Sequence, residues 1–171
     1  METIARFEKV SIEEFTKACN KLLPCLNQED IEKAYEEIRL PRRATKGSAG
    51  YDFFTPIDFT MQEGTTFTFP TGIRCKMNDG WVLSLYPRSG MGFKTGVHLA
   101  NTVGIIDSDY YNSDNEGHIM IKLVTDGVIK KDFSADYGSA VCQGIFLPFG
   151  IAEGDDTTAV RNGGFGSTSS N

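Results

Sequence analysis

No run of this sequence is apolar for anything near the ~20 residues that a membrane-spanning helix needs. Positive charge is scarce too: 17 Lys and Arg stand against 23 Asp and Glu, a net charge of −6. A chain this acidic is a poor general binder of duplex nucleic acid, whose affinity comes from basic side chains on phosphates. It can still hold a small polyanion where a few cations and backbone N–H groups cluster locally. Histidine is nearly missing, with only His98 and His118, and Cys19, Cys25, Cys75 and Cys142 show no Cys-x-x-Cys spacing. That argues against a zinc site and leaves the cysteines as reduced, small apolar residues. Residues 1–9 carry Glu2, Arg6, Glu8 and Lys9 instead of an apolar signal core. The expected compartment is therefore the cytoplasm (the host's, if the source is viral).

What is present fits one domain with a sizeable core, since 40% of the 171 residues are hydrophobic. Residues 11–23 read as an amphipathic helix. Ser11 and Glu14 have capping-box spacing, and Ile12, Phe15, Cys19 and Leu22 recur on one face. A second helix is expected from about Asn27, with Ile31, Ala34, Tyr35 and Ile38 as its stripe, stopping before Pro41. These helices make residues 1–36 a helical extension, a hairpin expected to pack on the main domain.

Beyond Pro41 helical periodicity disappears. Thr66–Phe69 and Trp81–Tyr86 alternate, Ile119, Ile121 and Leu123 alternate with Met120, Lys122 and Val124, and Val141–Phe149 is nearly all apolar. Many short strands separated by glycines predict a mainly β fold, a jelly-roll-like barrel or sandwich over residues 37–152. Residues 153–171 turn acidic and then Gly- and Ser-rich, the composition of a disordered terminus.

Five islands carry the candidate chemistry: Gly47-Ser-Ala-Gly-Tyr-Asp52, Pro87-Arg-Ser-Gly90, Asn101 through Tyr110, Gln143 within an apolar run, and Arg161 through Thr168. A turn offering Arg88, the Ser89 hydroxyl and the Gly90 N–H suits phosphate oxygens. In an extended backbone Asp107 and Asp109 share a face, and close like charges raise a carboxyl pKa, as a general base requires.

In this order and spacing the islands resemble the trimeric deoxyuridine triphosphatase (dUTPase) family over about residues 38–171. The resemblance implies a jelly-roll-like fold, a homotrimer, and Mg²⁺-assisted hydrolysis of dUTP to dUMP and pyrophosphate. It implies Asp107 as the carboxylate that activates water at the α-phosphorus, and Asp52 as the residue holding the metal's water shell. Arg88, Ser89, Gly90 and Gln143 would bind phosphates. Asn101, with Gly104 and Ile106 of the same hairpin, would read the uracil edge, and Tyr110 would lie against the deoxyribose. In the C-terminal arm, Phe165 would stack on the base, Gly166 would permit close approach, and Arg161, Ser167 and Thr168 would grip the terminal phosphates. Catalytic roles thus fall to Asp107, Asp52, Gln143 and Arg88.

Two departures from the family pattern stand out. Residues 111–116 lengthen the turn after Tyr110 by about five residues, making a surface loop or a partner contact. Ser139 and Ala140 stand where an acidic or polar residue and an Arg usually precede the glutamine, which leaves Asp109 without an expected partner. Alternatives are a regulatory protein-binding role, through the N-terminal helices or residues 111–116, and the related dCTP deaminase activity. No direct nucleic-acid or membrane binding is expected.

Overall fold

The computed structural model describes residues 2–129, 131–159 and 161. The strand β1 (Ala5–Lys9) comes first, then helices α1 (Ile12–Leu22) and α2 (Gln28–Glu36). Six strands follow: β2 (Arg42–Arg43), β3 (Tyr51–Phe54), β4 (Phe59–Met61), β5 (Thr66–Pro70), β6 (Ile73–Met77) and β7 (Trp81–Tyr86). A short helix, α3 (Ser89–Thr95), leads into β8 (Val97–Leu99) and β9 (Gly104–Ile106), and a 3-10 helix spans Ser108–Asn112. The strands β10 (Met120–Thr125), β11 (Phe133–Ala135) and β12 (Ala140–Pro148) complete the set.

All the strand pairings among these elements are antiparallel. The largest sheet runs β2-β3-β12-β7-β9; β5-β10-β8, β1-β6 and β11-β4 form the others. This is the mainly β, jelly-roll-like sandwich that the strand pattern predicts. Period-two burial fixes the register, because a one-residue slip would turn each apolar face outward. In β10, Ile121 and Leu123 are buried while Lys122 is exposed. The β7 strand lies inside its sheet, and Leu83, Ser84 and Leu85 are buried in succession. Among the described residues no helix is long and apolar enough to cross a membrane.

The N-terminal segment needs two corrections. It is not purely helical, because Ala5–Lys9 is a strand paired residue by residue with β6. Arg6, Glu8 and Lys9 interrupt the apolar pattern that would have marked it. The two helices pack on the main domain: Phe15, Cys19, Ile31, Ala34 and Ile38 belong to the same buried cluster as Phe53, Phe69 and Ile121. Fully burying Phe15 is worth ~1.5–3 kcal/mol in transfer terms. Finally, Cys25 is exposed in the turn between the helices, although Cys19, Cys75 and Cys142 are buried.

The capping box is only half formed. The Ser11 Oγ accepts the Glu14 N–H at 3.1 Å. The reciprocal carboxylate is not Glu14 but Glu116, 105 positions away, which accepts both the Ser11 N–H at 2.8 Å and the Ser11 hydroxyl. Glu14 turns inward and meets His118. Residues 111–116 are therefore not a free surface loop. The Tyr111 hydroxyl donates to Glu8, Arg74 stacks 3.7 Å from the Tyr111 ring, and the Arg74 guanidinium also lies 3.7 Å from Glu116. Glu116 adopts φ 58 and Gly117 φ +70, left-handed conformations that fold this turn back on itself. A Cβ on Gly117 would lie 2.7 Å from the Tyr110 carbonyl oxygen. The turn braces α1 against the sandwich.

Candidate active site

The site is built in two halves, one at each end of β7. The first is a cross-strand row. Register places Gln143 of β12 between Asp52 of β3 and Tyr86 of β7, so all three share one face of the sheet. Arg88, two residues past Tyr86, completes the row: its Nε lies 3.1 Å from Asp52 Oδ1. The same guanidinium donates to the Ala140 carbonyl at 3.4 Å. The Gln143 amide donates to the Pro87 carbonyl at 3.2 Å, which ties the start of the Arg88–Gly90 segment to β12. Gln143 is half-buried rather than fully buried. The Arg88-Ser89-Gly90 segment is not a simple turn but the start of α3, with Arg88 as N-cap. The N–H groups of Ser89 and Gly90 lie in the first turn, where a helix supplies no internal partners. A cation and these donors meet at an exposed edge.

Gly50 has a packing reason for lacking a side chain. A Cβ there would run into the Gln143 side-chain oxygen and lie 3.3 Å from its Cβ. Gly50→Ala is expected to displace the Gln143 amide and lower turnover by ~10-fold or more, since small misplacements are costly in a positioned site. An unchanged rate with an unchanged circular-dichroism spectrum would show that Gln143 does not need that position.

The second half is the β8–β9 hairpin. Its arms pair with different sheets, β8 with β10 and β9 with β7. The hairpin is therefore splayed, and each arm is the edge strand of its sheet. Edge strands present unpaired N–H and C=O groups, and a planar ring with alternating donors and acceptors can dock on them. A cavity of about 690 Å³ opens here, lined by Leu99, Ala100, Asn101, Gly104 and Ile106, and on the far side by Ala18, Lys21 and Leu22 of α1. That volume lies within the usual range for small-molecule sites. Gly104 packs on Leu85, where a Cβ would come within 3.1 Å. At the tip, Thr102 takes φ 64, an outlier for a β-branched residue. Sequence reasoning gave no signal for this, because strain of that kind is imposed by the flanking strands.

Immediately after β9, Asp107 caps the 3-10 helix, and Asp109 lies within it. The extended backbone that would align the two carboxylates is absent, and a cation joins them instead. Arg161 donates to Asp107 Oδ2 at 2.6 Å, and its Nε lies 3.3 Å from Asp109 Oδ1. Asp109 thus has an arginine partner after all, taken from the C-terminal segment. The Arg161 guanidinium also sits 5.6 Å from the Tyr110 ring centre. Arg161 is accordingly placed with Asp107, Asp109 and Tyr110, not with Arg88 and Ser89. Tyr110 is buried, and that burial raises its phenol pKa. Phe165, Gly166, Ser167 and Thr168 lie outside the described residues.

The two halves are well separated within the chain. Ile106 pairs with Leu83, so Asp107 stands level with Val82 near the start of β7, six residues of extended chain before Arg88, which follows the end of that strand. At ~3.3 Å per residue that is about 20 Å. A general base must come within ~3 Å of the proton it takes. Register thus sets Asp107 and Arg88 at opposite ends of β7 within one chain.

Among the described residues no cluster of three or more His, Cys, Asp or Glu is arranged to hold a metal ion. The acidic groups present are nevertheless hard oxygen donors of the kind Mg²⁺ takes, and that ion is commonly held by one or two carboxylates plus substrate phosphates. Asp52, fixed beside the Arg88 turn with its second oxygen outside the ion pair, fits such a role.

A splayed hairpin beside a small-molecule cavity, a carboxylate at its end and a separate phosphate-suited row on a jelly-roll-like sandwich define a nucleotide-handling β protein. The dUTPase family model matches residues 36–169, and the chain belongs to the dUTPase family. A deoxyuridine 5'-triphosphate nucleotidohydrolase of Lactococcus lactis subsp. lactis is 41% identical over 136 residues, 77% of this chain and 88% of that protein. The enzyme of the same name from Hahella chejuensis is 38% identical over 140 residues, again 77% of this chain and 88% of that protein. The crystal structure of a dUTPase from Streptococcus mutans superposes with a TM-score of 0.64 at 31% identity, covering 86% of this chain and 98% of that one. A phage phi11 dUTPase of S. aureus, described with a structural Mg(II) ion, shares the fold with a TM-score of 0.62 at 16% identity, covering 92% of this chain and 98% of that one.

Proposed function

We infer that this chain hydrolyses dUTP to dUMP and pyrophosphate, limiting uracil incorporation into DNA and supplying dUMP for thymidylate synthesis. The observation that carries the reading is the splayed β8–β9 hairpin with Asn101 at its tip and Asp107 at its base. The base docks between the two edges. Asn101 and backbone groups bond the uracil oxygens and N3–H, and a cytosine amino group would present a donor to a donor, a costly mismatch. Tyr110 bounds the deoxyribose. Asp107 accepts a proton from the water that attacks the α-phosphorus, and pyrophosphate leaves in line. Arg88, the Ser89 and Gly90 donors and the Gln143 amide hold the phosphates. Bound Mg²⁺ would neutralise charge on the triphosphate, with Asp52 contacting its water shell.

The working unit is a homotrimer in which each site draws on neighbouring chains. The ~20 Å gap between Asp107 and Arg88 along β7 and the exposure of Phe93 (90%), Val128 (79%) and Ile151 (78%) support this. Burial of such side chains against a neighbouring chain would remove apolar surface from water. The free state of Cys19, Cys25, Cys75 and Cys142 supports a reducing compartment, the cytoplasm. Pyrophosphate release across dUTP, dTTP, dCTP and UTP, with and without Mg²⁺, tests the reading. dUTP is expected to be turned over at least ~100-fold faster than the others, and only with the metal. Equal rates on dCTP, or ammonia release from it, would overturn it.

A further inference from the structure

The family match covers residues 36–169, so α1 lies outside it, whereas the turn at residues 111–116 lies within it. These two segments meet each other behind Tyr110. His118 is fully buried. Its Nε2 accepts the Gly72 N–H at 2.9 Å, which leaves the proton on Nδ1. That Nδ1 lies 3.3 Å from Glu14 Oε1 and donates to it. Burial pushes the imidazole pKa down to about 4, so the ring stays neutral near pH 7. The His118 backbone carbonyl accepts the Tyr110 hydroxyl at 2.8 Å. The Asn115 amide donates to the Tyr110 oxygen at 2.8 Å and reaches the same His118 carbonyl at 3.4 Å. Glu14 and Asn115 also line the cavity that Asn101, Gly104 and Ile106 line.

We propose that Glu14, Asn115 and His118 are positioning residues that fix the Tyr110 ring, so that α1 and the turn after Tyr110 together enforce the choice of deoxyribose over ribose. The inference rests on the dUTP reading above. A ring can exclude a 2′-hydroxyl only if it does not yield. The backbone of Tyr110 is held by the 3-10 helix that Asp107 caps. Its far end is held by Asn115 and by the His118 carbonyl, and His118 is in turn gripped by Gly72 and by Glu14 of α1. An ångström of freedom at the hydroxyl would admit one more oxygen atom against the sugar face.

The test is the ratio of kcat/KM for dUTP over UTP. Asn115→Ala is expected to lower that ratio ~10-fold, mainly through a lower KM for UTP. Glu14→Ala should lower it similarly. Glu14→Gln, which keeps an oxygen to accept the His118 Nδ1–H, should restore it. A merely structural brace would lower thermal stability in Glu14→Ala and leave the ratio alone. Unchanged ratios in folded Asn115→Ala and Glu14→Ala proteins would overturn the proposal. If Asn115→Ala does not fold, the Glu14 pair decides: equal ratios for Ala and Gln overturn it, and loss in Ala with recovery in Gln supports it. A wild-type protein with no preference for dUTP would instead overturn the functional reading, and this inference with it.

Discussion

Replacing Asp107 with Asn should leave dUTP bound and nearly stop its hydrolysis. The two side chains have the same shape, but the amide cannot take a proton from water. Loss of a positioned general base costs ~10²–10⁴ in rate, so kcat should fall by that factor while KM stays within a few-fold. One complication is built into the site. Asp107 also accepts a 2.6 Å bond from Arg161, so the variant loosens the C-terminal segment as well. Asp109→Asn is the control. It weakens the 3.3 Å contact to the same guanidinium and leaves the proposed base intact, so a loss of less than about tenfold is expected there. Single-turnover kinetics on the two variants separate chemistry from closure. Wild-type turnover in Asp107→Asn would remove Asp107 from the role of base.

How much of this was legible in the residues depends on whether the signal was local. The stripe of Ile31, Ala34, Tyr35 and Ile38 reads directly from helical spacing, and Ile31, Ala34 and Ile38 are buried, although α2 ends at Glu36 and Ile38 lies just past it. The alternation in β10 is equally plain. Local signals failed where a distant segment took over a local role. The Ser11-x-x-Glu14 spacing describes a capping box, yet Glu116 supplies the carboxylate. No reading of residues 11–14 could find that, because the partner is fixed by tertiary packing. Strand β1 was illegible for a similar reason: its charged residues are tolerated at an edge that pairs only with β6. The Asp107 and Asp109 alignment was misread because a 3-10 turn starts where an extended strand was assumed.

The site residues were visible as islands, but their grouping was not. Asp52, Arg88 and Gln143 come together through register, a relation among three strands that no single stretch encodes. Gly50 illustrates the gain from structure. In the sequence it is one more turn glycine, and in the fold it is the gap into which the Gln143 amide fits. Arg161 shows the opposite case. Its place on Asp107 and Asp109 answers the question raised by Ser139 and Ala140, because the guanidinium for Asp109 comes from elsewhere in the chain.

The separation of the two half-sites along β7 leads to the second large effect. Take one chain with Asp107→Asn and another with Arg88→Ala. Each homotrimer should be inactive, the first for want of a base and the second for want of a phosphate cation whose loss typically costs ~10²–10³. Now mix the two at equal amounts under conditions that exchange subunits. If Asp107 of one chain faces Arg88 of its neighbour around a threefold ring, a site is intact when an Arg88 variant supplies the aspartate and an Asp107 variant supplies the arginine. Random assembly gives that pairing at about one site in four. Activity should therefore return to roughly a quarter of wild type, and the recovered rate should rise with exchange time. A site made within one chain can never be rescued this way, because every chain in the mixture carries a lesion. No recovery, with subunit exchange shown independently by differently tagged chains, would refute the shared site and with it the trimeric reading of the catalytic machinery.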